Sequence, residues 1–244
     1  MCYRPILLKN GYHVPCGKCL ECLSRHRSEW RQRLFFEAKD NNKMFFVTLT
    51  VAPKYMDFVN GKYGQQYMTV NKRKIQLFHK RMRRYIQYHH YRIDFRYFVV
   101  SEYGPKTFRP HYHGLYFVNG KDWQYFKDIV KKIWYFGFSD VNLARNKGKS
   151  ASYVSNYLII NKITPYDKSS FWESSPCYDF SRTFVLFSRS LGNHYFTKNI
   201  KTQIKQNFLT FANALNITPI IKHYIVNDRD LYDFFRKLKY IESK

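Results

Sequence analysis

Two histidines separated by a single residue, His111 and His113, are the first candidates for chemistry in this chain. They stand at the head of a β-branched and aromatic run that predicts a strand, and side chains two positions apart on a strand project from the same face. Both imidazoles can therefore reach one divalent metal, which would polarise a phosphoryl oxygen toward attack. An isolated pair of this kind is equally consistent with two surface or core histidines, so the interpretation needs support from other residues.

Glu102 is a rare acid in a basic chain and the candidate for a third metal ligand. It ends a predicted strand, and the glycine-proline turn that follows predicts an antiparallel hairpin with the histidine strand. In such a hairpin the carboxylate would lie near His111 and His113, and mixed nitrogen and oxygen ligands accept Mn²⁺ or Mg²⁺. The alternative role for Glu102 is a surface turn residue paired with Arg96 or Lys106.

A predicted helix over residues 151–162 carries Tyr153 and Tyr157, which are four positions apart and therefore lie on one face. Val154 and Leu158 form a neighbouring apolar stripe that can serve as the buried face, which would leave the tyrosine hydroxyls to point toward the sheet and the metal. A phenol is a poor nucleophile at neutral pH until a metal or a base lowers the cost of its phenolate. The alternative is that both tyrosines belong to the core.

The cysteines indicate a second metal site near the N-terminus. Three of the five lie at two-residue spacing, as Cys16, Cys19 and Cys22, and Cys2 is the obvious fourth ligand. An odd number of cysteines clustered in this way favours a metal knuckle in a reducing compartment over a disulfide framework. Thiolates at this spacing suit tetrahedral zinc, and the alternatives are an iron-sulfur cluster or free thiols.

The elements that must position these residues are basic on their outer faces. Residues 44–51 predict a central buried strand, and residues 23–38 predict a basic amphipathic helix. Asn71 is predicted to cap a further helix whose outer face has seven cations and no acid. Such a run is ordinarily a solvated face, but a phosphate backbone would relieve its self-repulsion. The predicted DNA contacts are Lys72, Arg73, Lys80, Arg81, Arg84, Arg109 and Lys162.

The composition of the whole chain indicates a polyanionic partner. The 244 residues include 42 Lys and Arg against 17 Asp and Glu, a net charge of +25, which exceeds what solubility alone requires. The 22 tyrosines and 22 phenylalanines offer faces on which unstacked bases of single-stranded nucleic acid could stack, although most must form the core. No apolar run approaches the roughly 20 residues of a membrane span, and no signal peptide is evident, so an intracellular protein that binds nucleic acid is expected.

Several motifs together resemble a known family. The order of the runs matches the three motifs of HUH endonucleases, and with the cysteine knuckle and the later Phe187-Ser188-Arg189 they are similar to the replication initiators of small single-stranded DNA phages of the microvirus group, especially the gokushovirus-like branch. The matching runs are Phe46-Val47-Thr48-Leu49-Thr50, Glu102-Tyr103-Gly104, Arg109-Pro110-His111-Tyr112-His113-Gly114 and Tyr153-Val154-Ser155-Asn156-Tyr157. The resemblance implies an α+β fold, a central antiparallel sheet of about five strands flanked by helices, with the histidine strand in the middle.

The resemblance also implies an activity. A rolling-circle initiator would nick one DNA strand at an origin through a 5′-phosphotyrosine intermediate and leave a 3′-hydroxyl that primes the host polymerase. By this pattern His111, His113 and Glu102 bind the metal, and Tyr153 and Tyr157 are candidate nucleophiles. The implied partners are single-stranded DNA, origin duplex DNA and the host helicase and polymerase, with no membrane, in the cytoplasm of the infected bacterium.

The implied organisation has three parts: residues 1–40 as the cysteine knuckle and basic helix, residues 41–195 as the nicking domain, and residues 196–244 as a C-terminal α/β extension. The chain departs from the family pattern at Asn156, where a lysine is common, so Lys162 would have to supply that charge. Two alternatives remain open. One is an HUH transposase or mobilisation relaxase, with the same chemistry in a different biological role. The other is a non-catalytic single-stranded DNA binding protein that uses zinc, cations and aromatic residues.

Overall fold

A computed structural model describes residues 2–9, 11–40, 43–60, 66–104, 107–163 and 183–192, without the side chains of residue 157 and residues 159–163. The predicted C-terminal extension, residues 196–244, and Cys177 lie outside the described residues. Contacts divide the chain into Met1–Leu191 and Gly192–Lys244, and the features below belong to the first unit. Within the described residues, no helix has both the length and the apolarity needed to cross a membrane.

Nine strands and four α-helices make up the described part of the chain. In order they are β1 (Ile6–Leu7), β2 (His13–Val14), α1 (Leu20–Asp40), β3 (Lys43–Thr50), β4 (Asp57–Asn60), β5 (Gln66–Thr69), α2 (Lys72–Tyr88), β6 (Asp94–Tyr103), β7 (Pro110–Asn119), α3 (Phe126–Ile133), β8 (Ser139–Leu143), α4 (Lys147–Ile163) and β9 (Val185–Phe187).

The main sheet has five antiparallel strands in the order β8-β3-β7-β6-β9. The predicted fold class is therefore confirmed, and the histidine strand β7 is the central one. Helices cover both faces of β7, which explains why most of its residues are buried. The edge strands are short, which limits the unpaired backbone available for association with another sheet.

Helices α1 and α4 pack together on one face of the sheet. Trp30 and Leu34 of α1 and Val154 of α4 meet Leu115 and Phe117 of the central strand in a single buried cluster. Because alternate residues of a strand share a face, the histidines of β7 lie on this same side, nearer the end of the sheet where β7 begins. We call this side the α1/α4 face.

Helices α2 and α3 pack on the opposite face, which we call the α2/α3 face. Phe78 and Met82 of α2 and Phe126 of α3 are buried against Tyr112 and Tyr116, the residues of β7 that alternate with the histidines. The helix α2 begins as predicted, because the Asn71 side chain accepts a hydrogen bond from the Lys74 backbone amide at 3.1 Å. The cationic helix and the histidine pair thus lie on opposite faces of one sheet.

Helix α4 begins earlier than predicted. The sequence predicted a polar linker before residue 151, whereas the helix starts at Lys147. The reason is a local cap: the Asn146 side chain accepts a hydrogen bond from the Lys149 backbone amide at 2.9 Å, which satisfies a donor of the first turn. The polar residues after Asn146 therefore form an exposed helical turn.

Candidate active site

The β6–β7 hairpin brings Glu102 to the two histidines. The register pairs Glu102 with His111, and the Glu102 carboxylate oxygen Oε2 lies 3.0 Å from His113 Nε2. The alternative partner for this carboxylate is otherwise engaged, because Arg96 forms an ion pair of 2.9 Å with the buried Glu37. The rings of His111 and His113 are nearly parallel, at 6° between planes and 6.4 Å between centroids. The predicted juxtaposition of these three side chains is present at the centre of the sheet.

Hydrogen bonds on the far side of each imidazole orient its Nε2 atom. His111 Nδ1 lies 2.7 Å from the Arg109 carbonyl oxygen, which can only accept, so Nδ1 carries the proton and donates it. His113 Nδ1 lies 3.1 Å from the Thr48 hydroxyl. A ligating histidine ordinarily holds its other ring nitrogen in such a contact, which fixes the ring and leaves Nε2 as the metal-binding atom. Thr48 belongs to a run that the sequence had matched to a motif without giving this residue a role.

The donor set fits a hard divalent ion in part. Two adjacent ligands of an octahedral ion at about 2.1 Å lie about 3.0 Å apart, which is the observed separation of Glu102 Oε2 from His113 Nε2. His111 is the less closely placed ligand. Among the described residues, the only group of three or more potential ligands with all its ligand atoms within 4.8 Å of one another is a cysteine cluster, so the Glu102, His111 and His113 set is wider than this.

Gly104 leaves room for the His111 ring. A Cβ atom at this position would lie 3.2 Å from His111 Cε1 and 3.4 Å from His111 Nδ1, closer than ordinary van der Waals contact. The backbone of Gly104 also holds the hairpin connection, because its amide donates to the Arg109 carbonyl at 3.0 Å. A glycine directly after the strand that carries Glu102 is the sequence signal for this close approach.

Tyr153 faces the site through one aromatic residue. Its ring lies 5.6 Å from the ring of Phe46 on β3, and Phe46 stacks on His113 at 6.0 Å. Val154 and Leu158 are buried, as predicted, whereas Tyr153 is half exposed, at 51%. The predicted helix therefore presents Tyr153 on the α1/α4 face. Tyr157 and Lys162 lie in α4, but their side chains are outside the described residues.

A cation from α1 reaches the tyrosine helix. Arg27 Nη1 donates to Asn156 Oδ1 at 3.4 Å, and Asn156 lies between the two tyrosines in sequence. The sequence had assigned the positive charge near this position to Lys162. Only the packing of α1 against α4 identifies Arg27, because 129 residues separate it from Asn156. The guanidinium is thus a further candidate for contact with a phosphate near the tyrosines.

The predicted DNA-contacting cations fall into separate groups. Lys72, Arg73, Lys80 and Arg84 are exposed on α2, while Arg81 is partly buried. They belong to the α2/α3 face and not to the face that carries the histidines. Arg109 lies beside the histidine strand, but its Nη2 atom donates to the Val51 carbonyl at 2.9 Å and so ties β3 to β7.

The four N-terminal cysteines form a compact cluster. The sulfur atoms of Cys2, Cys16, Cys19 and Cys22 all lie within 4.8 Å of one another. The Cys16–Cys22 and Cys19–Cys2 separations are 3.9 and 3.8 Å, and tetrahedral zinc with bonds of about 2.3 Å requires sulfurs about 3.8 Å apart. The donor set and its spacing therefore fit zinc without rearrangement. Cys22 lies in the first turns of α1, so the cluster connects the N-terminal segment to this helix.

Backbone amides support thiolates in this cluster. The amides of Lys18 and Cys19 each lie 3.4 Å from the Cys16 sulfur, and these contacts lower the pKa of Cys16. Backbone amide contacts from Cys22 and Tyr3 lower the pKa of Cys19 to about 6. Desolvation raises the pKa of Cys22 to about 12, so binding of a metal to all four sulfurs would release protons.

Comparison with known proteins agrees with this arrangement. Residues 44–162, which run from β3 to α4, match the family described as replication-associated protein ORF2. This segment belongs to the replication-associated protein family. It contains the hairpin with Glu102, His111 and His113 and the helix with Tyr153, whereas the cysteine cluster precedes it.

Two phage proteins are similar to the chain. Replication-associated protein ORF4 of Chlamydia phage 1 is 27% identical over 220 residues, which cover 80% of this chain and 51% of that protein. Replication-associated protein ORF2 of Spiroplasma virus 4 is 35% identical over 105 residues, which cover 43% of this chain and 31% of that protein. The chain thus spans about half or less of the length of these curated relatives, and no solved structure matches it. The resemblance to microvirus replication proteins is confirmed.

Proposed function

We propose that this chain is a metal-dependent endonuclease that nicks single-stranded DNA and thereby initiates rolling-circle replication of a small phage genome. The observation that carries the proposal is the arrangement on the α1/α4 face. Glu102 and His113 lie in contact on the two neighbouring strands of a replication-associated domain, and Tyr153 reaches the same face through Phe46. A carboxylate, two imidazoles and a partly exposed phenol form a suitable set for phosphoryl transfer to tyrosine.

In the proposed reaction the phenol oxygen of Tyr153 bonds to the scissile phosphorus, and the bond from phosphorus to the 3′ oxygen breaks. The phenol proton passes to water, and the departing 3′ oxygen takes up a proton to become a hydroxyl. The products are a 5′-phosphotyrosine and a free 3′ end that host polymerase can extend. Tyr157, one helical turn from Tyr153, is the candidate for the second transfer that closes the circle.

Glu102, His111 and His113 would hold Mn²⁺ or Mg²⁺, which when bound polarises the phosphate and makes it more susceptible to attack. The contribution of the protein is orientation. The contacts of His113 with Thr48 and of His111 with the Arg109 carbonyl hold both rings with Nε2 toward the site. Phe46 separates Tyr153 from His113, which sets the position of the phenol relative to the ligands.

The cysteine cluster would hold a structural zinc ion. The match of its sulfur separations to a tetrahedral site supports this assignment, as do the amides that contact Cys16. The ion would tie the N-terminal segment to the start of α1. Because α1 packs against α4 and donates from Arg27 to Asn156, zinc at this end would stabilise the helix that carries the nucleophile.

The proposed partners are single-stranded DNA, origin duplex DNA and the host helicase and polymerase, in the cytoplasm of the infected bacterium. The net charge of +25 supports a nucleic-acid partner. Arg27 and Lys162 are proposed to contact phosphates near the tyrosines, and Lys72 and Arg73 are proposed to contact DNA from the start of α2.

The test is covalent adduct formation. Labelled origin-like single-stranded DNA would be incubated with the protein in Mn²⁺, Mg²⁺ or EDTA and separated by denaturing electrophoresis. We expect a metal-dependent adduct that survives denaturation. Tyr153→Phe should abolish the first cleavage, whereas Tyr88→Phe, at an exposed tyrosine on α2, should leave it unchanged. The Tyr153→Phe and Tyr157→Phe variants, singly and together, identify which phenol attacks.

Two results would contradict the proposal. An adduct that persists in the Tyr153→Phe, Tyr157→Phe double variant would show that neither phenol is the nucleophile. Tight DNA binding without cleavage or adduct, in folded protein with either metal and across many sequences, would favour a non-catalytic single-stranded DNA binding protein instead.

A further inference from the structure

A groove on the α2/α3 face combines aromatic side chains with cations. It lies between α2 and the end of α3 and has a volume of about 360 Å³. Its lining includes Arg81, Arg84 and Tyr88 from α2 and Lys132 and Tyr135 from α3 and the turn after it. The groove is lined mainly by carbon surface, with charged groups among the rings. It is separate from the histidine site, since the sheet lies between them.

The cations in this groove already contact aromatic faces. Arg81 lies 5.1 Å from the centroid of the Tyr135 ring and donates to its hydroxyl at 2.7 Å. Lys132 Nζ lies 5.0 Å from the Tyr85 ring and 3.1 Å from its hydroxyl. Tyr88 and Tyr135 nevertheless remain 77% and 50% exposed. Exposed tyrosine faces beside guanidinium groups can stack a base and contact the adjoining phosphate at the same time.

We propose that this groove is a second binding site for single-stranded DNA, on the sheet face opposite the candidate active site. The occupant follows from charge and shape. Helix α2 has seven cations and no acid, which excludes a basic partner and favours a polyphosphate. The exposed rings favour unpaired bases over duplex DNA, whose bases are already stacked.

The two sites are connected along α2. The Asn71 backbone amide, just before α2, donates to the Tyr112 hydroxyl at 2.9 Å, and Tyr112 lies between the two histidines in β7. The start of α2 is therefore at the end of the sheet that carries the histidines. From there Arg73, Lys80 and Arg84 follow one stripe of the helix, and Arg73 and Arg84 are about 16 Å apart along its axis. A strand bound in the groove can follow this stripe toward the site of cleavage.

The inference concerns DNA segments distant from the nick, and it deepens the proposed function without depending on cleavage. Binding would be measured in EDTA by fluorescence anisotropy, with oligonucleotides of increasing length and at several salt concentrations. The wild-type protein should bind longer oligonucleotides more tightly. The Arg81→Gln, Arg84→Gln double variant should lose this advantage, and its logarithmic salt slope should fall by about 1.4, since each single-strand phosphate contact contributes about 0.7.

Two further variants complete the test. Tyr135→Leu should weaken binding of long oligonucleotides about tenfold with little change in salt slope, because it removes a stacking face and no charge. The matched control is Lys121→Gln with Lys127→Gln, which removes the same charge from exposed positions that do not line the groove. Long oligonucleotides should bind this control with the wild-type length dependence.

The outcomes separate this inference from the proposed function. If the groove variants and the lysine control bind long oligonucleotides alike, the second site is refuted, whether or not the protein nicks DNA. If the groove variants lose the length dependence while the wild type forms no adduct, the second site stands and the nicking proposal fails. Tyr135→Leu alters a half-exposed side chain, so it keeps the test decisive if the arginine variant does not fold.

Discussion

Replacing Thr48 with valine removes one hydroxyl while the shape of the side chain is retained. In the structure this hydroxyl lies 3.1 Å from His113 Nδ1, and the opposite nitrogen Nε2 lies 3.0 Å from Glu102. For His113 to bind a metal through Nε2, the proton must be on Nδ1 and be donated to Thr48. The valine variant therefore leaves the ring in place but removes the acceptor that selects its tautomer and orientation.

The expected magnitude follows from the loss of one hydrogen bond. A neutral hydrogen bond contributes about 1 kcal/mol, and 1.4 kcal/mol corresponds to about a tenfold change in an equilibrium constant. Loss of an outer partner of a metal-binding histidine ordinarily costs about 10-fold to 100-fold in metal affinity. We therefore expect the Mn²⁺ concentration for half-maximal cleavage to rise about tenfold, with little change in the rate at saturating metal.

The assay is cleavage of labelled single-stranded DNA during a Mn²⁺ titration. Thr48→Ser keeps the hydroxyl and should behave almost as the wild type does. The matched control is Thr50→Val, two positions along the same face of β3, where the hydroxyl contacts the Phe138 carbonyl at 3.3 Å and no histidine. That substitution should leave the metal dependence unchanged.

Two results would refute the reasoning. If Thr48→Val and Thr50→Val have the same metal dependence as the wild type, the Thr48 contact does not orient a metal ligand. If Thr48→Val lowers the maximal rate at every Mn²⁺ concentration without shifting the midpoint, the hydroxyl acts on the reacting groups or on DNA and not through His113.

Three further predictions test the rest of the structure. Cys19→Ser should reduce bound zinc from about one equivalent per chain, measured by atomic absorption, and lower the Tm by several degrees; unchanged zinc content would contradict the structural site. Gly104→Ala should slow cleavage about tenfold with little change in Tm, because its Cβ would displace the His111 ring; a full rate would show that the ring tolerates the shift. Burial, and then the charge of Arg83, lower the pKa of His79 to about 3 from 6.5. Unfolded chains therefore bind a proton that the folded protein excludes, and the free energy of unfolding should fall as the pH drops from 6.5 to 3, by about 1.4 kcal/mol per pH unit. Replacing His79 with leucine together with its partner Tyr116 with phenylalanine should reduce that slope in urea unfolding, and an unchanged slope would assign it to other groups.

Much of the fold followed from local patterns in the sequence. Alternation and apolar runs predicted the strands that became β3, β6 and β7, and the hairpin signal placed Glu102 beside the histidines. The spacing of Val154 and Leu158 predicted which side of α4 is buried. These features could be predicted because each depends on neighbouring residues or on a short turn. The start of α4 was wrong because a single capping side chain, Asn146, extends the helix into a polar segment.

Residue types and spacing alone determined the donor sets of this protein: two imidazoles on one strand face, a carboxylate across a hairpin, phenols one turn apart, and four clustered cysteines. Tertiary structure alone decided what surrounds them. Arg27 reaches Asn156, and the cations of α2 lie behind the sheet, because helices separated by many residues pack on its two faces. A short-range pattern fixes which side chains share an element, but the long-range burial of apolar surface decides which elements meet.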